Sequence, residues 1–415
     1  MIQYNQFTLS NGLKVFVHED HDTQVAVLNV LYNVGSRDED ENKTGFAHLF
    51  EHLMFGGSKH VPSYDEPLQA VGGENNAFTS PDITNYYLTL PANNLETGFW
   101  LESDRMMSLS FDPKVLEVQR KVVIEEFKQR YLNQPYGDEW LKLRPLAYKT
   151  HPYKWATIGK DISHIEDATM EDVKSFFGKF YNPSNAVIVV AGNVKTSEIE
   201  SLARKWFGPI DSGLAYERNL QVEPVQNEER LLEYQADVPL DSLSKLYHME
   251  GRLEDTYYAS DLAGDILGRG KSSKLYQKLV KGLSMFNTLD TYVTGSIDPG
   301  LLVVSGKLNP GVPIEEGDNA IQNVIEDFLQ NGGNEEELEK VKNQAESTIV
   351  FSEVELLNKA MNIAFGANMG NPNLINEEKD NIAAVDSDLL LERARKILRP
   401  GNCSTMYYRS NNNHK

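Results

Sequence analysis

Short β-prone runs separated by polar turns make up much of the first half of the chain, a pattern typical of strands. Strands are predicted at residues 6–9, 13–18, 24–33, 75–79, 84–90 and 186–191. Apolar residues recur at helical spacing between them, which predicts helices at residues 45–55, 63–70, 95–108, 113–131 and 196–207. Strands mixed with helices in this way predict an α/β (α+β) fold, in which a β-sheet is covered by helices.

The chain has 415 residues, more than one ordinary core accommodates, so two domains are expected. A polar, irregular stretch at residues 211–228 is the predicted linker between a domain of residues 1–210 and a second domain of residues 229–415. A similar order of strands and helices returns after this stretch, which predicts that the two domains are duplicated copies.

The composition narrows the possible chemistry. Cys403 is the only cysteine, so an intrachain disulfide and a cysteine-ligated zinc finger are excluded. The formal net charge of −21 argues against a nucleic-acid partner, since phosphate binding requires basic patches. No apolar run is long enough to span a bilayer, and residues 1–8 lack the features of a signal peptide. We therefore expect a cytoplasmic protein without membrane contact, with a processed periplasmic form as the alternative.

The strongest chemical signal is the segment His48-Leu-Phe-Glu-His52. Its two histidines lie one helical turn apart, so both imidazoles share one face of the predicted helix. Glu51 stands beside the second histidine, where a carboxylate can reach a water molecule that a metal ion holds. This H-x-x-E-H pattern is typical of zinc-dependent hydrolysis.

A catalytic zinc ion takes three protein ligands and keeps one position open, so a third ligand is required from another helix. A later amphipathic helix offers two adjacent acids, Glu125 and Glu126, beside apolar residues that are expected to face the core, Val122, Val123 and Phe127. Adjacent helical residues point about 100° apart, so only one of the two glutamates is expected to reach the metal.

The second half contains a segment similar to the motif helix but without its histidines. Residues 259–268 align with residues 47–56 through the alanine and glycine at their ends. Ser260, Ala263 and Gly264 then stand at the positions of the first histidine, the glutamate and the second histidine. This alignment predicts a second copy without metal chemistry, and the alternative is two unrelated helices of ordinary spacing.

These segments together resemble the pitrilysin, insulysin and mitochondrial-processing-peptidase family of zinc peptidases. The resemblance rests on the H-x-x-E-H helix, the later V-V-x-E-E helix and the segment Gly72-Gly-x-x-Asn-Ala-x-Thr79, and it extends over essentially the whole chain. It implies that this chain forms half of a clamshell-like peptidase. It also implies one Zn²⁺ per chain, bound by His48, His52 and Glu126, with Glu51 as the general base that acts on zinc-activated water.

One position near the implied ligands departs from the family. Many members have a glutamate seven residues before the ligand glutamate, where this chain has Gln119. Gln119 would share a helix face with Glu126, so a hydrogen bond from this position to the ligand set is still available.

The resemblance also implies a way of binding substrate. In the family, the strand after the glycine pair is a sheet edge beside the zinc, and here its substrate-facing residues are Asn76, Ala77 and Phe78. An extended peptide adds to such an edge through main-chain hydrogen bonds, which suits short or unfolded polypeptides. The alternative is an ordinary covered edge.

Family members hold the substrate carbonyl with an arginine and a tyrosine from a non-catalytic half. Here Val280 stands at the arginine position and Phe286 is nearest to the tyrosine position, and neither side chain can donate a hydrogen bond. We therefore expect a dimer. It is either a heterodimer with a related subunit that supplies the Arg/Tyr pair, or a homodimer that stabilises the reaction intermediate in another way.

The predicted function is that of a zinc metalloendopeptidase. A non-catalytic peptide-binding or assembly subunit of the same family is the alternative, and the intact set of His48, Glu51, His52 and Glu126 argues against it. A metal-dependent hydrolase of non-peptide bonds is a further alternative, which fits the strand-edge segment less well.

Overall fold

The computed structural model describes residues 1–213 and 216–411. Its strands are β1 (Asn5–Thr8), β2 (Lys14–Glu19), β3 (Val25–Tyr32), β4 (Glu74–Thr79), β5 (Thr84–Pro91), β6 (Ala186–Gly192), β7 (Arg230–Ala236), β8 (Ser242–His248), β9 (Phe286–Val293), β10 (Leu301–Leu308) and β11 (Cys403–Ser410). Its α-helices are α1 (Phe46–Leu53), α2 (Asp65–Ala70), α3 (Leu95–Met107), α4 (Pro113–Phe127), α5 (Glu139–Ala147), α6 (Ser163–Glu166), α7 (Met170–Phe180), α8 (Thr196–Trp206), α9 (Tyr257–Gly268), α10 (Ile314–Asn331), α11 (Glu335–Ser352), α12 (Leu356–Asn368), α13 (Leu374–Ala383) and α14 (Ser387–Ile397).

The strands predicted in the first half all form, each within one residue of its predicted bounds. The helix predicted to continue to residue 131 ends at Phe127, and the chain goes on as a π-helical turn, Lys128–Leu132. A π-helical turn widens the backbone locally, so it changes the direction of the residues that follow Glu126.

The first sheet has six strands in the order β1-β2-β6-β3-β5-β4. β2 and β6 run parallel, and the other neighbours run antiparallel. Side chains that alternate along β3 face opposite layers of helices. Val27 packs in a cluster with Ile363 of α12, whereas Leu28 lies beside Gly98 of α3 on the other face.

The second sheet has five strands in the order β7-β11-β8-β10-β9. β7 and β11 run parallel, and the other neighbours run antiparallel. This arrangement repeats β2-β6-β3-β5-β4 of the first sheet in chain order, neighbours and strand directions. The structure therefore confirms the predicted α/β (α+β) class and the two similar domains, each a sheet with helices.

The chain divides into two compact units, each built from three segments. The first unit contains Met1–Arg130, His151–Gln221 and Val350–Glu377, and the second contains Tyr131–Thr150, Val222–Ile349 and Glu378–Lys415. The predicted linker, residues 211–228, includes the change of unit after Gln221, and its residues 214 and 215 lie outside the described residues. Each unit also takes one segment from the other side of that linker.

No helix in the described part of the chain combines the length and the hydrophobicity that crossing a bilayer requires. The cytoplasmic location stays a prediction from the sequence.

Candidate metal centre

The helix α1 presents the H-x-x-E-H residues because its other face is apolar. Its residues Phe46, Ala47, Leu49, Phe50 and Leu53 are buried. His48, Glu51 and His52 lie on the remaining face and are only partly covered. The two imidazole rings are 4.9 Å apart between their centroids and nearly perpendicular to each other.

The helix α4 packs against α1 and supplies the third donor. Its start is fixed by Pro113 in the first turn and by Asp112, whose side chain accepts a hydrogen bond from the backbone N–H of Lys114. Near its end, Val123 and Phe127 are 1% and 5% exposed and anchor the helix in the core. The prediction that Val122 also faces the core is wrong, since it is 43% exposed. Val122 lies one turn before Glu126, and therefore on the side of α4 that is open near the site.

The carboxylate of Glu126 faces both imidazoles. Its Oε2 lies 3.4 Å from His52 Nε2 and 3.7 Å from His48 Nε2. A tetrahedral zinc ion with bonds of about 2.0–2.2 Å places its ligand atoms about 3.3–3.6 Å apart. The three donors therefore fit Zn²⁺ in number, type and spacing, and among the described residues they form the one such group.

The protonation states of His48 and Glu126 favour binding of a cation. Burial, and then the neighbouring His52, lowers the pKa of His48 to about 4, so its ring is neutral at pH 7. The hydrogen bond with His52 lowers the pKa of Glu126, which is therefore ionised. Arg130 Nη1 lies 3.1 Å from the other oxygen of Glu126, Oε1, and leaves Oε2 for the imidazoles. Neutral imidazole and carboxylate are the forms that bind metals.

Glu51 lies beside the three donors and is held by the edge strand. Thr79 Oγ1 donates a hydrogen bond to Glu51 Oε2 at 2.6 Å. Burial raises the pKa of Glu51, while the bond from Thr79 lowers it. A carboxyl with a raised pKa that one hydroxyl orients is suited to take up and release a proton.

The structure separates the two adjacent acids on α4. Glu125 is exposed and pairs with Lys128 at 2.7 Å, while Glu126 faces the histidines. The side chain of Gln119, two turns before Glu126, makes no hydrogen bond to any of the described residues. The hydrogen bond to the ligand set that this position makes available is therefore absent among the described residues.

The predicted substrate segment lies on β4, which is the outermost strand of its sheet and pairs with β5 alone. The hydrogen bond from Ser80 N–H to Ile83 O closes the turn between these strands. Hydrogen-bonded and non-hydrogen-bonded pairs alternate in an antiparallel ladder. The backbone groups of Ala77 and Thr79 therefore point to the free edge, and those of Asn76 and Phe78 point to β5.

The side chains of the predicted substrate segment do not all face the metal donors. Successive strand residues face opposite sides, so Ala77 shares the side of Thr79, which contacts Glu51. Asn76 and Phe78 face the other side, and Phe78 is 40% exposed. The side-chain Oδ1 of Asn76 accepts the N–H of Ala77 at 2.8 Å, so a peptide that adds to this edge would displace it.

The two positions that correspond to the family's Arg/Tyr pair lie in the core of the second unit. Phe286 is 1% exposed, and Val280 is partly buried against the same cluster. Neither position presents a hydrogen-bond donor from its side chain.

Two residues of the site were missed from the sequence. Arg130 follows Glu126 by four residues, a helical spacing at which an ion pair could have been expected. Thr79 was part of the strand motif but was not assigned a role. Its contact with Glu51 joins residues 28 positions apart, which only the folded structure reveals.

Family models match both halves of the chain. Residues 14–141 match a model described as insulinase (peptidase family M16), and residues 167–345 match one described as peptidase M16 inactive domain. His48, Glu51, His52 and Glu126 all lie within the first match.

Individual relatives and structures are similar to the chain along most of its length. It is 31% identical to the zinc protease PqqE of Helicobacter pylori over 346 residues, which are 82% of this chain and 78% of that protein. It is 24% identical to the uncharacterized zinc protease YmxG of Bacillus subtilis over 350 residues, 84% of either chain. The crystal structure of a protease from Helicobacter pylori matches with a TM-score of 0.91 and 26% identity, over 99% of this chain and 100% of that one. Pitrilysin shares the fold, with a TM-score of 0.77 at 18% identity over 99% of this chain and 45% of that one.

Proposed function

Because the chain belongs to the insulinase family of peptidases, peptidase family M16, we propose that it is a zinc-dependent endopeptidase that hydrolyses peptide bonds of short or unfolded polypeptides. The observation that carries the proposal is the convergence of His48, His52 and Glu126 around one point, with Glu51 beside it. Relatives named zinc proteases support a metallopeptidase at the level of the family.

In this proposal His48, His52 and Glu126 bind one Zn²⁺, which when bound acts as a Lewis acid on water and on the scissile carbonyl. Glu51 accepts a proton from the attacking water as the water oxygen forms a bond to the carbonyl carbon. Glu51 then delivers this proton to the leaving amine as the C–N bond breaks, and returns to its ionised form. Thr79 keeps the carboxylate in place through its bond to Oε2.

The free edge of β4 is the proposed binding site for the substrate main chain. The outward backbone groups belong to Ala77 and to Thr79, whose side chain contacts Glu51, so a peptide paired with this edge passes the metal donors. Main-chain pairing requires an extended segment, which supports short or unfolded polypeptides as substrates.

A dimer is also part of the proposal. Val280 and Phe286 offer no side-chain donor for the substrate carbonyl, and the second of them is 1% exposed in the core. A related subunit would supply the Arg/Tyr pair, and the two halves would form the clamshell. A purified chain that alone matches the cleavage rate of a co-expressed pair would favour the homodimer instead.

A non-catalytic peptide-binding or assembly subunit is the second candidate function. It is favoured by the match of residues 167–345 to a model described as an inactive domain. The four residues of the proposed site lie outside that match, which favours the peptidase.

The decisive experiment compares the wild-type chain with Glu51→Gln. We expect about one zinc ion per chain in both, and peptide cleavage at least about 100-fold slower in the variant, since a general base contributes 10²–10⁴-fold. Glu74→Gln, which changes an exposed acid at the start of β4, is the matched control and should cleave like the wild type. Equal cleavage by Glu51→Gln and the wild type would contradict the proposal.

A further inference from the structure

The segment between β3 and α1 is charged but largely buried. Arg37, Asp38 and Glu39 are 2%, 8% and 9% exposed. Charged side chains are almost never buried without partners, so each of them is expected to hold another part of the structure in place. Composition does not reveal which charged residues are paired, so these roles become visible only in the folded structure.

Glu39 is bound by three N–H donors, two of which belong to the start of α1. Its Oε2 accepts the backbone N–H of Gly45 at 2.9 Å, and its Oε1 accepts that of Ala47 at 2.8 Å. The indole N–H of Trp155 donates to Oε2 at 3.1 Å. The carboxylate thus satisfies two of the backbone donors that every helix leaves open at its N-terminus.

The N-cap residue of α1 cannot provide such a cap with its own side chain. This residue, Gly45, has φ of +88° and no capping side chain. A Cβ atom at this position would lie 2.5 Å from Ile158 O, so serine, threonine or aspartate does not fit there. The cap therefore has to come from elsewhere in the chain, and Glu39 supplies it from six residues upstream.

The electrostatics of this contact are balanced between burial and hydrogen bonding. Burial raises the pKa of Glu39, and the three N–H donors counteract this by stabilising the ionised form. All contacts of the carboxyl group are donors, so the ionised form alone satisfies them. The positive end of the helix dipole adds to the stabilisation of that form.

The capped residues lie directly before the first metal donor, since Ala47 precedes His48 within the first turn of α1. We propose that Glu39 is a positioning residue for the metal centre, which caps α1 and thereby holds His48 where it can share a cation with His52 and Glu126. The inference rests on the proposed zinc site, but not on peptidase activity.

The loss of this cap should act on metal binding through His48. An eight-residue helix is only marginally stable by itself, so its first turn depends on such contacts. In Glu39→Gln the amide oxygen can replace only one of the two carboxylate oxygens, so the amide NH₂ group faces the backbone N–H of Gly45 or of Ala47 and leaves that donor unpaired. The first turn then loosens, whereas His52 in the last turn and Glu126 on α4 keep their places.

The test measures Zn²⁺ affinity of the full chain by competition with a chromogenic chelator, and follows Co²⁺ binding by visible absorption. We expect the zinc Kd of Glu39→Gln to rise at least about 10-fold, within the range that outer contacts of metal ligands contribute. Glu39→Asp, which keeps the charge at a shorter reach, should show a smaller rise.

Asp38→Asn is the matched control. Asp38 lies in the same buried segment and accepts from the N–H of Gly35 and from Arg218, but it makes no hydrogen bond to α1. This variant should lower the thermal unfolding midpoint while the zinc Kd stays at the wild-type value. A general loss of stability is thereby separated from an effect on the metal donors.

A folded Glu39→Gln variant with wild-type zinc Kd would overturn the inference. If Glu39→Gln does not fold, Glu39→Asp decides, and an unchanged Kd in that variant is equally contrary. An equal rise of Kd in Asp38→Asn would also be contrary, because it would make the effect one of general stability. Tight zinc binding without peptide cleavage by the wild type would instead remove the proposed function and leave the role of Glu39 in place.

Discussion

The two sheets share strand order and direction, yet the helices at the same place in each unit carry different chemistry. α1 follows β3 in the first unit, and α9 follows β8 in the second. The helix α1 carries two imidazoles that face the carboxylate of Glu126. The charged residues on α9 are two carboxyls, Asp261 and Asp265, also one turn apart.

The burial of α9 differs from what the sequence alignment with α1 suggests. Ser260, Ala263 and Gly264, which align with the motif residues, are all buried. A Cβ atom at Gly264 would lie 3.2 Å from the side chain of Leu302, so a histidine there would press into the sheet. Asp261 is the one residue of this helix that is not buried. The polar face of α9 is therefore shifted by one residue from the aligned positions.

The two helices also differ in the partners of their polar side chains. Asp261 and Asp265 stand at the same spacing as His48 and His52, but Asp265 is paired with an arginine that follows on the same segment. Arg269 Nη1 lies 3.2 Å from Asp265 Oδ2. In both units the helix carries two polar residues one turn apart, but those of α1 are donors suited to a metal ion, whereas Asp265 of α9 pairs with an arginine.

The largest expected effect tests whether Glu126 completes the metal centre. Glu126→Gln removes the one charged donor, so the zinc Kd should rise on the order of 1,000-fold, since a catalytic site needs three ligands. Glu125→Gln changes the adjacent exposed acid, which pairs with Lys128, and should bind zinc like the wild type. Equal affinity of the two variants would mean that α1 alone holds the metal and that the facing helix is irrelevant.

The next effect concerns the free edge of β4. Ala77→Pro removes an N–H that points away from β5, so the sheet keeps its ladder while substrate loses a main-chain partner. We expect KM for a peptide substrate to rise about 30-fold, with zinc content unchanged, since one lost hydrogen bond and the added ring both weaken pairing. Ala77→Gly keeps the N–H and should have nearly wild-type KM. A normal KM in the proline variant would exclude this edge as the binding site.

A smaller effect is expected from the contact between the edge strand and the general base. Thr79→Val replaces the hydroxyl that donates to Glu51 with a methyl group of similar size. A hydrogen bond to a charged group contributes about 1.5 kcal/mol or more, so kcat should fall about 10-fold at unchanged zinc content. Thr79→Ser restores the donor and should restore most of kcat. If serine and valine behave alike, the hydroxyl does not orient Glu51.

Much of the fold could be predicted because local patterns determine local structure. Alternation gave the strands of the first sheet, and helical spacing placed His48 and His52 on one face. The same patterns do not say which core an amphipathic helix joins. The helix α12 has buried Ala360, Ile363 and Ala364, and it packs against β3 and β6 although more than 160 residues separate it from either strand.

The candidate site could likewise be predicted only in part. The proposed metal ligands could be predicted from the residue spacing and from the family resemblance, because the motif on each helix lies within one short segment of the sequence. The supporting contacts could not be predicted, because Thr79 and Glu39 act through a hydrogen bond to another element of structure. Val122 was placed in the core because apolar residues usually are, and the open side of α4 beside Glu126 is a feature of tertiary packing.

The smallest expected effect is on stability and tests the acid pair of α9. Burial, and then the neighbouring Asp265, raises the pKa of Asp261 to about 6, from about 3.9 in an unfolded chain. Between these values the folded state binds more protons than the unfolded state, so stability falls as pH rises from about 4 through 6. Asp261→Asn removes this linkage, and its free energy of unfolding should exceed that of the wild type by about 1–2 kcal/mol at pH 7 and by almost nothing near pH 4.

Urea unfolding at several pH values between 4 and 7 measures this difference directly. Asp255→Asn changes an exposed acid before α9 and should leave stability within about 0.5 kcal/mol of the wild type at every pH. If Asp261→Asn is no more stable than the wild type at pH 7, Arg269 and the other nearby charges already compensate the acid pair. The aspartate pair of α9 would then carry no cost in stability, and the two helices would differ only in the chemistry of their polar side chains.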